Sequence, residues 1–202
     1  MQFLTDFADQ AVILPLAVAI GLALLVAGWR RGAAAWLGAV GATLGMVLLS
    51  KVAGAACLNG LALLDLQSPS GHTASAAVVY GGLIALTSPE PARPVRRWIA
   101  ALLPAAALAV LVGATRLAVH AHTVAEVLAG AAIGIAGALA LARLAGRQPA
   151  GLQVSVPWAA AVVVAVVMHG RHLQAEDAID RLSCRLASAG LAAPPQAPSA
   201  MP

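Results

Sequence analysis

The chain has 202 residues, 61% of them hydrophobic and 10% charged, with a mean hydropathy of +0.89, whereas soluble domains average about 45–50% apolar and about 25% charged. This excludes an ordinary soluble globular protein, because the apolar residues fall in long unbroken runs rather than at amphipathic spacing. The net charge of +4 does not point to nucleic acid, since the few basic residues flank apolar runs. The two cysteines cannot build a disulfide scaffold and form no Cys-x-x-Cys site.

A bilayer core of about 30 Å is crossed by about 20 mostly apolar residues. In chain order the runs are Ala11 to Gly28, Ala33 to Ala56, Thr73 to Thr87, Trp98 to Ala114, Val124 to Leu144 and Leu152 to His169. The expected fold is therefore an all-α, polytopic transmembrane helical bundle of six spans, or five if the last run, with its Pro157, does not cross. No basic residue precedes the first run, only Asp6 and Asp9, so the charged start of a cleaved signal peptide is missing and the first span is expected to remain. Residues 1–191 are expected to form one transmembrane domain ending in a short surface helix, with Leu173, Ile179, Leu182 and Leu186 as its apolar stripe. The Ala/Pro-rich stretch 192–202 reads as a disordered tail.

Arg30, Arg31, Arg93, Arg96, Arg97, Arg143 and Arg147, seven of the twelve basic residues, fill the first, third and fifth connections. Basic residues beside spans stay preferentially cytoplasmic. The second and fourth connections are then expected to face outward, in a bacterial-type inner membrane.

The outward connections carry the chemistry. Lys51, the single lysine, ends span two; Ser68-Pro69-Ser70-Gly71-His72 opens span three; Arg116, His120, His122 and Glu126 lie where span four gives way to span five. Ionisable residues at membrane depth are costly and mark candidate sites. A helix beginning at Ser70-Gly71 offers backbone N–H groups and the positive end of its dipole to an anion. Lys51 and Arg116 would add charge-assisted bonds to phosphate oxygens. His122 and Glu126 are four apart, on one helix face, where the carboxylate can hold one ring nitrogen and leave the other to attack. His72 would protonate the leaving oxygen. These are the parts of metal-free phosphoryl transfer through a phosphohistidine.

The motifs resemble those of the type 2 phosphatidic acid phosphatase superfamily, which includes lipid diphosphate phosphatases and vanadium haloperoxidases. Its Pro-Ser-Gly-His block is complete as Pro69-Ser70-Gly71-His72. Its block of Ser-Arg, five residues, His, three residues and Asp is present as Thr115-Arg116, His122 and Glu126, with two substitutions at conserved spacing. Of its Lys-x6-Arg-Pro block only Lys51 is present, with Leu58 and Asn59 in the places of Arg and Pro. The resemblance covers about Lys51 to Gly137. It implies His122 as nucleophile, Glu126 as its orienting carboxylate, His72 as general acid, and Lys51, Ser70, Gly71 and Arg116 as phosphate ligands, without metal or cofactor. It implies a lipid phosphate as partner besides membrane lipids, with undecaprenyl diphosphate, phosphatidylglycerophosphate and phosphatidic acid as candidates. Arg171 or His120 would stand in for the absent arginine.

Other readings of the same residues are kept beside this one. His72, His120, His122 and Glu126 could hold zinc, or the chain could bind or transport lipid phosphates without turnover. A haloperoxidase would need a soluble, peroxide-accessible pocket that nothing in the sequence suggests. Thr123-Val124-Ala125-Glu126 fits a capping box, which gives Glu126 a second role. Gly130 and Gly134 read as a close-packing pair. Trp29, Trp36, Trp98 and Trp158 read as interfacial anchors. Cys57 and Cys184 either pair in an oxidising compartment or remain free thiols.

Overall fold

The computed structural model describes residues 2–57, 68–89, 94–171 and 173, and all regular structure among them is helical. Six rods account for the six apolar runs: α2 (Gln10–Val26), α3 (Arg30–Cys57), α4 (71–87), α5 (Pro94–Ala118), α6 (Val124–Leu144) and α7 (Ser155–Met168). A short helix, α1 (Gln2–Asp6), precedes them and was not expected. The surface helix after Leu173, the tail 192–202 and Cys184 lie outside the described residues.

Three stretches, Arg30–Val52, Trp98–Ala118 and Val124–Leu144, are long and apolar enough to cross a membrane, while Gln10–Val26 and Ser155–Met168 are shorter apolar helices. At 1.5 Å per residue, about 17 residues is the lower limit for a bilayer crossing. α2 has 17 residues and α7 only 14. Pro157 does not interrupt α7, because it sits in the first turn, where a missing N–H costs no intrahelical bond.

α6 is the centre of the bundle, packed on α3, α4 and α5, while α2 joins α3 to α7. The exterior is apolar. Val18 on α2, Val110 on α5, Leu128 on α6 and Val166 on α7 all point outward, the arrangement for a lipid solvent and the reverse of a water-soluble bundle. Interior positions are small or tightly interlocked. A Cβ on Gly134 would lie 2.5 Å from the Ala74 carbonyl oxygen, and one on Gly81 would lie 2.5 Å from Ala105 Cα, so both glycines are required for the closeness of these helices. In α4 the α-helical stretches Gly71–Ala76 and Gly82–Thr87 flank a π-helical turn, Ala77–Gly81.

Two of the four tryptophans differ from the interfacial reading. Trp36 is fully buried and donates its indole N–H to the Ala17 carbonyl at 2.8 Å. Trp29 is also buried and donates to the Ala145 carbonyl at 3.2 Å. Each satisfies its polar atom within the protein, so each serves the core rather than a headgroup layer. Trp98 and Trp158 remain exposed.

The up-and-down course of the rods separates two ends. One carries Arg30, Arg31, Arg96, Arg143 and Arg147; there the Arg31 Nε donates to the Leu144 carbonyl at 2.9 Å, satisfying an orphan acceptor at the end of α6. The other end collects the start of α2, the last turns of α3, the start of α4, the end of α5 and the start of α6.

Candidate active site

At this second end the starts of α4 and α6 are locked together. Thr123 caps α6, its hydroxyl accepting from the Glu126 N–H at 3.3 Å, while the Glu126 carboxylate accepts from the Thr123 N–H at 3.1 Å. The same Oε2 lies 2.9 Å from His122 Nδ1, and Oε1 accepts from the Ser68 N–H at 3.0 Å. Glu126 is therefore a cap, an imidazole partner and a tether for the α4 turn at once. Its carbonyl also accepts from the Ser70 N–H at 2.9 Å. Gly130, one turn further along α6, makes room for this turn: a Cβ there would stand 2.4 Å from the Ser70 oxygen.

These bonds change one expectation. The Ser70 N–H is engaged by Glu126, and its hydroxyl accepts from Thr73 Oγ1 at 3.0 Å. Ser70 is fully buried, so it shapes the turn, and the helix-start N–H groups available to an anion begin at Gly71.

In the tautomer with its proton on Nδ1, His122 donates to Glu126 and its Nε2 lone pair is left uncommitted to that carboxylate. His72 opens α4 just ahead of the apolar run from Thr73. Its imidazole pKa is pushed down to about 4, chiefly by burial and next by the Arg116 guanidinium; His122 and Lys51 add to this, and Asp9 opposes it. Asp9, Lys51 and His72 line one cavity, so the segments that carry them meet. Lys51 is itself buried. A cavity of about 320 Å³ is lined by the polar or small residues Asp9, Lys51, Gly71 and His72 together with the apolar Leu14, Leu44, Val47 and Leu48.

Sequence reasoning missed Asp9. It is buried, caps α2 by accepting from the Ala11 N–H at 2.8 Å, and places Oδ2 3.9 Å from His72 Nε2. An acidic residue immediately before an apolar run is the signal the sequence offers for it. His120 and Arg171 are exposed, and His120 adopts a left-handed φ of 53° in the turn after α5. No three His, Cys, Asp or Glu side chains among the described residues are grouped to hold a metal ion, so His72, His120, His122 and Glu126 do not form a ligand set in this arrangement.

Comparison with known proteins agrees with the motifs. The profile of the PAP2 superfamily matches residues 57–150. A Klebsiella pneumoniae protein described as an uncharacterized 22.5 kDa protein in the cps region is 32% identical over 167 residues, covering 82% of this chain and 79% of its own. No solved structure matches the chain. The chain belongs to the PAP2 superfamily, whose members include phosphatases, and is a helical membrane protein.

Proposed function

We propose that the protein is a membrane lipid phosphatase that hydrolyses a lipid phosphate or diphosphate at the outer leaflet of a bacterial inner membrane, through a phosphohistidine on His122. The observation that carries this reading is the 2.9 Å contact between His122 Nδ1 and Glu126, which orients the imidazole and leaves Nε2 nucleophilic. Arg116, Lys51 and the α4 start at Gly71 hold the phosphate and stabilise the charge of the transition state.

In the first step His122 Nε2 forms a bond to phosphorus as the bond to the lipid or phosphate leaving group breaks, and the leaving oxygen takes a proton from His72. Burial and the neighbouring cations disfavour a proton on the His72 ring before substrate binds, and the negative charge of the bound phosphate favours it. In the second step neutral His72 takes a proton from water; the water oxygen bonds to phosphorus, and the P–N bond breaks to release phosphate. Undecaprenyl diphosphate, phosphatidylglycerophosphate and phosphatidic acid are the substrates to compare. The apolar walls of the cavity beside the polar groups support a substrate with a hydrocarbon part.

The test is phosphate release from a panel of these lipids in detergent with excess EDTA, comparing the native protein with His122→Ala. Release that survives EDTA and vanishes in the variant is expected. Binding without release from either protein would favour a noncatalytic binder or transporter, and release abolished by EDTA would favour a metal-dependent hydrolase.

A further inference from the structure

We propose that Asp9 is the positioning carboxylate of His72, giving the candidate site a second histidine–carboxylate pair built on the same plan as His122–Glu126. This inference rests on reading His72 as the proton carrier of the phosphate site.

The two carboxylates divide their oxygens in the same way. Glu126 spends Oε1 on the Ser68 N–H and turns Oε2 to His122. Asp9 spends Oδ1 on the N–H groups of Ala11, at 2.8 Å, and Leu173, at 3.2 Å, and turns Oδ2 to His72 Nε2 at 3.9 Å. Each carboxylate is thereby held by backbone donors at a helix start, so little conformational freedom remains to be lost when it engages its imidazole. At 3.9 Å the contact is longer than a hydrogen bond but within ion-pair distance, as catalytic contacts often are in a structure without substrate.

The N-terminal segment is secured to the helix that carries His72. Tyr80 donates its hydroxyl to the Phe7 carbonyl at 2.7 Å, and Ser75 donates to the Ala8 carbonyl at 3.2 Å. Thr5 meets Thr115 on α5 at 3.4 Å, next to Arg116. Capping α2 does not require this anchoring, nor does it require an acid, since serine and asparagine cap equally well. A buried carboxylate that lines one cavity with Lys51 and His72 has a use in stabilising the imidazolium that forms when His72 takes a proton from water.

The experiment uses the cap to separate the two roles. Asp9→Ser keeps an N-cap and loses the carboxylate, while Asp9→Glu restores an acid. In the full-length protein in detergent at pH 7, nitrogen-15 NMR of labelled histidines, with His72 assigned through His72→Gln, reads the His72 tautomer. The native ring is expected to carry its proton on Nε2, with the tautomer ratio falling at least about threefold in Asp9→Ser and recovering in part in Asp9→Glu. Turnover of a lipid phosphate is expected to lose about tenfold in kcat with KM within about twofold. An unchanged tautomer in Asp9→Ser overturns the pairing, and a shifted tautomer with unchanged kcat overturns its role in the reaction. Should the native protein release no phosphate, the proposed function fails and the tautomer measurement still decides the pairing.

Discussion

Glu126 shows how a substituted motif residue can suit its setting. Its carboxylate spans the Thr123 N–H, the Ser68 N–H and His122 Nδ1, and the extra methylene relative to aspartate supplies the reach for the capping box as well as the imidazole. The sequence offers Glu126 both as a cap, three residues after Thr123, and as an imidazole partner, four residues after His122; in the folded chain one carboxylate makes both contacts. Glu126→Gln keeps the size and one oxygen acceptor but loses the charge that favours the His122 imidazolium. Phosphate release is expected to drop by about a hundredfold or more, while the melting temperature in detergent reflects a loss of only about 1 kcal/mol. Equal loss of folding and activity would make Glu126 a cap alone.

At the scale of helices, the packing of α4 on α6 determines where the candidate site lies. Gly130 and Gly134 allow the α4 backbone to touch α6, with no space for a side chain at either position. Gly130→Ala is expected to push the Ser70 turn outward, costing about 1–3 kcal/mol of stability and lowering phosphate release about tenfold. Gly38→Ala is the control, because a Cβ there meets nothing within 4 Å; alanine should change stability by less than about 1 kcal/mol, in the stabilising direction. Thermal melting and activity of the two variants in detergent check both. The close-packing role was legible in the Gly-xxx-Gly spacing. The partner was not, since spacing identifies a smooth face but not the helix laid against it. For the same reason the indoles of Trp29 and Trp36, near the ends of apolar runs, gave no sign that Ala145 and Ala17 would accept their N–H groups.

Across the whole molecule, the candidate site and most of the described arginines occupy opposite ends of the bundle. Positive charge beside spans favours the cytoplasm, so the site end is expected to face outward. In a background with Cys57→Ser and Cys184→Ser, a cysteine at exposed position His120 should react with a membrane-impermeant maleimide in intact cells. One at Arg147 should react only after permeabilisation. The reverse pattern would place the site in the cytoplasm and remove the outer-leaflet assignment.

Composition and hydropathy alone determined that this is a helical membrane protein, where its six apolar rods lie and which end bears the arginines, while motif spacing pointed to Pro69-Ser70-Gly71-His72 and His122 with Glu126 as parts of one candidate site. Those properties are carried by neighbouring residues, because span length, charge at span ends and helix-face spacing are all local. Only the tertiary structure brought Asp9 to His72, turned the Ser70 N–H to the Glu126 carbonyl, and secured the first residues to Tyr80 and Ser75. These contacts join segments far apart in the chain, and their formation depends on how closely α2, α4 and α6 approach, a matter of side-chain volume and packing that no short stretch of sequence encodes.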